Sequence, residues 1–201
     1  MIRSIVFDMG GVLIRYEPEL FLQRLGVTDA DRALLRREVF SSIEWARLDR
    51  GSLRDEEARA LMRARLPERL HAAVYTLVSE WERPMLPIEG MEELIRELKA
   101  RGYGIYLLSN ASFRQHEYWP LVPGSALFDG TLISADVGLV KPQPEIYRLL
   151  CERFSLKAEE CVFIDDVGQN AEGAYYSGMH AIVFHNDMDE LRTRLRELNV
   201  L

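Results

Sequence analysis

The sequence predicts an α/β fold: a parallel sheet wrapped on both sides by helices, with an all-helical block inserted behind the first strand. Three observations lead there. Short runs of branched and aromatic residues alternate with helical periodicities along most of the 201 residues. Residues 15–86 interrupt that alternation with helix patterns and no convincing strand. The conspicuous polar clusters fall at or just beyond strand ends, where open α/β sheets bind ligands.

Strands are expected at 4–7, 104–108, 130–134, 161–164 and 180–184, each a short apolar run of the kind that a buried parallel sheet uses. After the first, Ser52 with Asp55 and Glu56 reads as a helix N-terminal cap. Leu61, Met62 and Leu66 form one apolar stripe, and Leu70, Val74, Leu77, Val78 and Trp81 form another. The segment "RPMLPI" closes this block. In "PIEGMEELIRELKARGYGIYLLSN", Met91, Leu94, Ile95 and Leu98 share a helix face, and Gly102 stands where a helix C-terminal glycine belongs. Pro144 can open a helix with Ile146, Leu149 and Leu150 on one side, and 170–177 and 188–198 supply two more. The division expected is a core of 1–14 and 87–201 carrying a helical domain of 15–86. Phe7, Tyr106 and Phe163 lie within strand runs and are expected in the core.

Composition narrows the function. With 25 Lys and Arg against 32 Asp and Glu, the net charge of -7 offers no phosphate-backbone footprint, and the arginines between Arg32 and Arg69 are interleaved with acids as on solvated helix faces. No apolar run approaches a membrane span or a signal peptide, so a cytoplasmic protein without membrane or nucleic-acid partners is expected. Cys151 and Cys161 have neither metal nor redox spacing and are read as buried thiols.

The chemistry sits in Asp8, in Ser109 and Asn110, in Lys141 within "DVGLVKPQPEIY", and in Asp165 and Asp166. Pro142 and Pro144 stiffen the loop that holds Lys141. Carboxylates brought together at one rim repel one another unless a cation neutralises them, and Asp8 with Asp166 suits a hard, oxygen-seeking ion such as Mg²⁺. Such an ion leaves a coordination position for a substrate phosphate. Lys141 adds positive charge, Ser109 and adjoining backbone N–H groups can cradle phosphoryl oxygens, and Asp8 is then placed to attack phosphorus and form an aspartyl-phosphate. A fully paired structural cluster is the alternative.

The ordered set "FDMGGVL", "LLSN", "GLVKPQPEIY" and "FIDDVGQNAEGA" resembles the haloacid dehalogenase-like (HAD) hydrolase superfamily, in its helical-cap subgroup. Within it, "SIEWARLDRGSLRDEEA", "YLLSNASFRQHEYWP" and "SADVGLVKPQPEIYRLL" resemble the bacterial alpha-D-glucose-1-phosphate phosphatase branch. The resemblance implies a Rossmann-like core with a small helical cap. It makes Asp8 the nucleophile, makes Ser109 and Lys141 the phosphate contacts, and gives Mg²⁺ the ligands Asp8, Asp166 and the Gly10 carbonyl, with Asp165 beside them in the second shell. About 30 residues separate Asn110 from Lys141, too few for a second cap. The expected activity is a Mg²⁺-dependent phosphatase of small phosphorylated metabolites, sugar phosphates such as a sugar-1-phosphate, in a monomer or homodimer.

One position departs from the commonest superfamily pattern. Most of its phosphatases carry an acid/base Asp two residues after the nucleophile, and here that residue is Gly10. An acidic leaving group, such as the anomeric hydroxyl of a sugar-1-phosphate, would lessen the need for it; His116 and Glu17 are candidate substitutes. Two other readings follow from Gly10: a weak or inactive phosphate-binding module, and a metal-independent 2-haloacid dehalogenase, against which the pair Asp165 and Asp166 counts. In the helical block, Trp45, Arg47 and Arg50 surround the turn "LDRGS", and Arg47 is a candidate substrate contact.

Overall fold

Ser4 and three apolar residues carry the chain through the middle of the molecule as β1 (Ser4–Phe7), and all four are buried. In the computed structural model, which describes residues 1–201, β1 lies between β2 (Gly104–Ser109) and β4 (Cys161–Asp165). The edges are β3 (Gly130–Ile133) and β5 (His180–Val183), and every neighbouring pair is parallel. The chain builds outward from β1 to β3, then returns past β1 to add β4 and β5. Such a reversal opens a crevice at the carboxyl ends of the central strands.

Both faces of the sheet are covered, as alternation along β1 requires. Ile5 and Phe7 join one apolar cluster with Met91, Leu94, Ile95 and Leu98, while Val6 joins another with Phe163, Ile146, Tyr147 and Leu150.

Six α-helices separate β1 from β2: α1 (Pro18–Arg24), α2 (Asp29–Leu35), α3 (Ile43–Asp49), α4 (Asp55–Arg63), α5 (His71–Ser79) and α6 (Met91–Ala100). The first five enclose an apolar core of their own that includes Phe21, Leu35, Leu48, Met62, Leu70, Val74 and Leu77. Two chain segments connect this layer to the sheet and run antiparallel, with Arg15 N–H donating to the Leu86 carbonyl at 2.8 Å and Ile88 N–H to that of Leu13 at 2.9 Å. Beyond β2 come α7 (Gln115–Tyr118), α8 (Ser134–Val137), α9 (Pro144–Phe154), α10 (Gly168–Tyr176) and α11 (Met188–Glu197). No helix is long and apolar enough to cross a membrane.

The helical layer is pressed onto the sheet layer. Trp81 meets Tyr16 and Phe21 at ring centroid distances of 5.2 and 5.5 Å and Tyr118 at 5.6 Å. Arg114 reaches from the sheet layer to Glu82, with Nη2 2.9 Å from Oε1 and both side chains nearly buried.

Two local expectations are corrected. Ser52 does not cap α4, which starts after Arg54 with no side-chain cap and an acidic first turn at its positive end; Ser52 instead donates to the Arg47 carbonyl at the end of α3, and Ser42 caps the start of α3 by accepting from Trp45 N–H at 3.2 Å. Leu61 is exposed, because the buried face of α4 is set by Ala58 and Met62. Cys161 is buried and Cys151 half-buried, and both are free.

Candidate active site

Asp8 continues the ladder of β1 by one residue, its N–H donating to the Ile164 carbonyl at 2.9 Å. The chain then turns back, with Gly11 N–H bonded to the Ile14 carbonyl at 2.8 Å and φ of 77° at Gly11. A Cβ on Gly11 would stand 2.2 Å from Asp166 Oδ2, so this glycine supplies both the left-handed turn and the room in which the tips of β1 and β4 approach.

Lys141 is delivered by a loop that Asn110 holds. Asn110 Oδ1 accepts from Lys141 N–H at 2.8 Å, and Asn110 Nδ2 donates to the Lys141 carbonyl at 3.1 Å. From there the ammonium is inserted between two carboxylates, 2.6 Å from Asp165 Oδ2 and 2.9 Å from Asp8 Oδ1, with its side chain wholly buried. Burial works against that charge, but Asp8 and Asp165 outweigh it and hold the Lys141 pKa above its ordinary value. Burial likewise pushes the Asp8 carboxyl up, opposed by Lys141 and reinforced by Asp165. Asp165 is the best satisfied of the acids: it also accepts from Val167 N–H at 2.8 Å and from Asn170 Nδ2 at 3.1 Å.

These groups open into a cavity of about 200 Å³ between the two layers. The sheet side contributes Asp8, Met9, Gly10, Ser109, Lys141 and Asp166; the helical side contributes Tyr16, Trp45, Leu48, Asp49, Val78 and Trp81. The N–H groups of Gly10 and Asn110 donate to no protein acceptor, that of Met9 is turned toward the Asp8 carboxylate, and all three lie around Asp8 and Ser109, an arrangement suited to the oxygens of a tetrahedral anion.

Of the residues singled out in the sequence, Asp8, Gly10, Ser109, Asn110, Lys141 and Asp166 therefore line one cavity, together with Trp45. Asp165 lies behind Lys141, and the side chain of Asn110 is committed to the Lys141 backbone. Arg47 and Arg50 are exposed and line a neighbouring groove instead. His116 is exposed and bonded to Asp136 at 2.9 Å, and Glu17 faces a groove on the far side of Asp166; neither lines the cavity. The sequence reading passed over Asp49, Tyr16 and Tyr118. Asp49 belongs to the "LDRGS" turn, whose Gly51 was a visible signal, but an Asp beside a surface-looking Arg carries no mark of its own.

The motifs and the fold converge with a direct comparison: the family model for haloacid dehalogenase-like hydrolases matches residues 2–178. The chain belongs to that family. As a HAD-like hydrolase it is similar to the sesquiterpene phosphatase astK of Aspergillus oryzae, 28% identical over 88% of this chain and 87% of that one. It is also similar to the D-ribitol-5-phosphate phosphatase of Bacteroides thetaiotaomicron, 27% identical over 85% of each chain. Other relatives are longer: the chain spans 37% of drimenol cyclase drtB from Aspergillus calidoustus and 12% of bifunctional epoxide hydrolase 2 from Mus musculus. The same fold is seen in a HAD family enzyme of Bacteroides thetaiotaomicron in complex with magnesium and inorganic phosphate, with a TM-score of 0.71, 20% identity, and coverage of 95% of this chain and 99% of that one.

The residues present fit a divalent cation. Oxygens of Asp8, Asp165 and Asp166 lie within 4.8 Å of one another, three carboxylates against the single ammonium of Lys141. Buried Asp8 Oδ1 forms the ion pair with Lys141 but no well-directed hydrogen bond, and the Asp166 carboxylate is bonded to no residue but itself, through its own backbone N–H. Since both oxygens of Asp165 are engaged, Asp8 and Asp166 are the side chains free to hold an ion.

Proposed function

We propose that this HAD-like hydrolase is a Mg²⁺-dependent phosphatase of small phosphorylated metabolites, sugar phosphates foremost, acting through an aspartyl-phosphate on Asp8. The observation that carries the reading is the placing of Asp8 beside Ser109 and the unpaired backbone N–H groups of Gly10 and Asn110, at the mouth of a cavity that also holds Lys141 and Asp166.

Met9, Gly10 and Asn110 N–H, with Ser109 Oγ, would hold the phosphoryl oxygens and turn phosphorus toward Asp8. Lys141 neutralises the oxygens and keeps Asp8 ionised for attack; Asn110 acts through Lys141, as a positioning residue. Held by Asp8, Asp166 and the Gly10 carbonyl, with Asp165 in support, Mg²⁺ would add positive charge where the transferring phosphoryl group develops negative charge. The aromatic wall of Tyr16, Trp45, Trp81 and Tyr118 excludes water and offers flat apolar surface to the C–H face of a sugar. Residues 15–86 thereby serve as a cap on the core of 1–14 and 87–201. The carboxylate pair at 165 and 166 supports a metal-assisted phosphatase over a metal-independent dehalogenase.

The test is a panel of sugar phosphates, an aryl phosphate and a 2-haloacid, assayed with Mg²⁺, with chelator, and with Asp8→Asn. Phosphate release that needs both Mg²⁺ and Asp8 is expected. Halide release indifferent to chelator would replace the reading with a dehalogenase; tight phosphate binding with no turnover of any ester would replace it with a binding module.

A further inference from the structure

A glycine at position 10 leaves the cavity without the carboxylic acid that would otherwise protonate the leaving oxygen, and restoring it is sterically awkward, since a Cβ there would meet Tyr16 Cβ at 3.2 Å. For a leaving oxygen basic enough to need a proton, the donor has to be some other group that faces the substrate. Six titratable side chains line the cavity: Asp8, Tyr16, Asp49, Tyr118, Lys141 and Asp166. Asp8 and Asp166 are taken by nucleophilic attack and by the metal. Lys141 is locked between two carboxylates. Burial pushes both tyrosines above their ordinary range, which makes them poorer donors still.

That leaves Asp49, at the last turn of α3. Its carboxylate has no hydrogen-bond or ion-pair partner in the protein, although its backbone is fixed to the core: Ser134 Oγ donates to its carbonyl, and Gly51, two residues on, lies so close to Ala135 that a Cβ would stand 2.2 Å from that residue's carbonyl oxygen. An unpartnered acid is therefore held by the helical layer on the wall that faces the strand tips. Burial, then the facing Asp8 carboxylate, raise its pKa to about 8 against the pull of Lys141, a direction that favours the proton-carrying form a donor needs.

We propose that Asp49 is the general acid, supplied by the cap in place of the missing Asp at position 10. The proposal rests on the phosphatase reading above. As Asp8 Oδ bonds to phosphorus and the P–O bond to the leaving group breaks, the Asp49 proton passes to the departing oxygen, releasing an alcohol and leaving Asp49 ionised. When water attacks the aspartyl-phosphate, its OH goes to phosphorus, the Asp8–phosphorus bond breaks, and its proton returns to Asp49. Closure of the cap then completes the catalytic set, so that ester cleavage requires the docked arrangement seen here.

The experiment is a leaving-group series from aryl to alkyl phosphates, with the transfer step followed by rapid quench in wild type, Asp49→Asn and Asp49→Glu. An acid role predicts that Asp49→Asn slows alkyl phosphates about 10²–10⁴-fold and activated aryl phosphates far less, so that rate falls more steeply with leaving-group pKa. Asp49→Glu should recover part of the alkyl rate. Inorganic phosphate binding, measured by calorimetry, reports a folded pocket in each variant. An unchanged leaving-group slope in a variant that still binds phosphate overturns the assignment. If wild type itself turns over no ester, or does so after Asp8→Asn, it is the phosphatase reading that fails.

Discussion

Replacing Lys141 by Met removes the only cation from a buried cluster while keeping most of the side-chain volume. At an effective dielectric constant of about 20, its contacts of 2.9 Å to Asp8 and 2.6 Å to Asp165 are each worth about 6 kcal/mol of gross attraction. Desolvating three charges offsets most of this, so the net quantity of interest is the penalty for leaving two buried carboxylates uncompensated, about 3–5 kcal/mol. For a domain of this size that is a fall in melting temperature of roughly 6–20 °C. The assay is urea unfolding at neutral pH in chelator for wild type, Lys141→Met, Asp8→Asn and the double variant. Because Asp8→Asn already removes one of the stranded charges, Lys141→Met should destabilise the Asp8→Asn background less than wild type, by at least about 1 kcal/mol. An equal cost in both backgrounds, or no cost in either, would refute the argument that this ion cluster is held together by Lys141.

Three further outcomes follow from the same geometry. Gly11→Ala drives a methyl group into Asp166 at a position with φ of 77°, so it should destabilise the fold by about 1–3 kcal/mol and raise the Mg²⁺ needed for half-maximal activity; an unaltered Mg²⁺ titration contradicts the placing of Asp166. Asn110→Ala removes both hydrogen bonds that orient the Lys141 backbone. It should lower kcat at least about tenfold while KM moves little, and kinetics in which only KM changes would make Asn110 a substrate contact instead. The third concerns pH. Asp49 moves from 3.8 to about 8 on folding, so between those values the folded chain keeps a proton that the unfolded chain has released, and stability is lost as pH rises through that window. Asp49→Asn should therefore melt like wild type near pH 4 and increasingly above it up to about pH 8; parallel melting curves across that range would mean that the surroundings of Asp49 do not raise its pKa.

Much of this was legible from residue order alone. All five strands and the longer helices α6, α9, α10 and α11 declared themselves, because a sheet buried on both faces needs continuous apolar runs and the helices need apolar stripes, whereas the one-turn helices α7 and α8 after β2 and β3 are too short to show a stripe. Strand ends shifted by at most one residue: β2 and β4 each extend to include the acid or hydroxyl residue that follows, and β3 stops where Ser134 begins α8. The sheet-side half of the cavity was readable for the same reason, since a strand tip fixes where its next residue goes. The helical half was not. Asp49, Tyr16 and Arg47 are positioned by the docking of one layer on the other, through Trp81, Arg114 and the contact of Gly51 with Ala135, and none of those contacts leaves a periodic trace. A charged residue on a cap helix reads the same whether it borders both the cavity and the neighbouring groove, as Asp49 does, or the groove alone, as Arg47 does.

The central claim, covalent transfer of phosphorus to Asp8, is tested most directly by quenching a reaction with labelled aryl phosphate during its first turnover and mapping the label. A hydroxylamine-labile phosphoryl group on the peptide that contains Asp8, absent from Asp8→Asn and from reactions with chelator, is the predicted result. Steady turnover with no protein-bound label, or a label on any other residue, contradicts it.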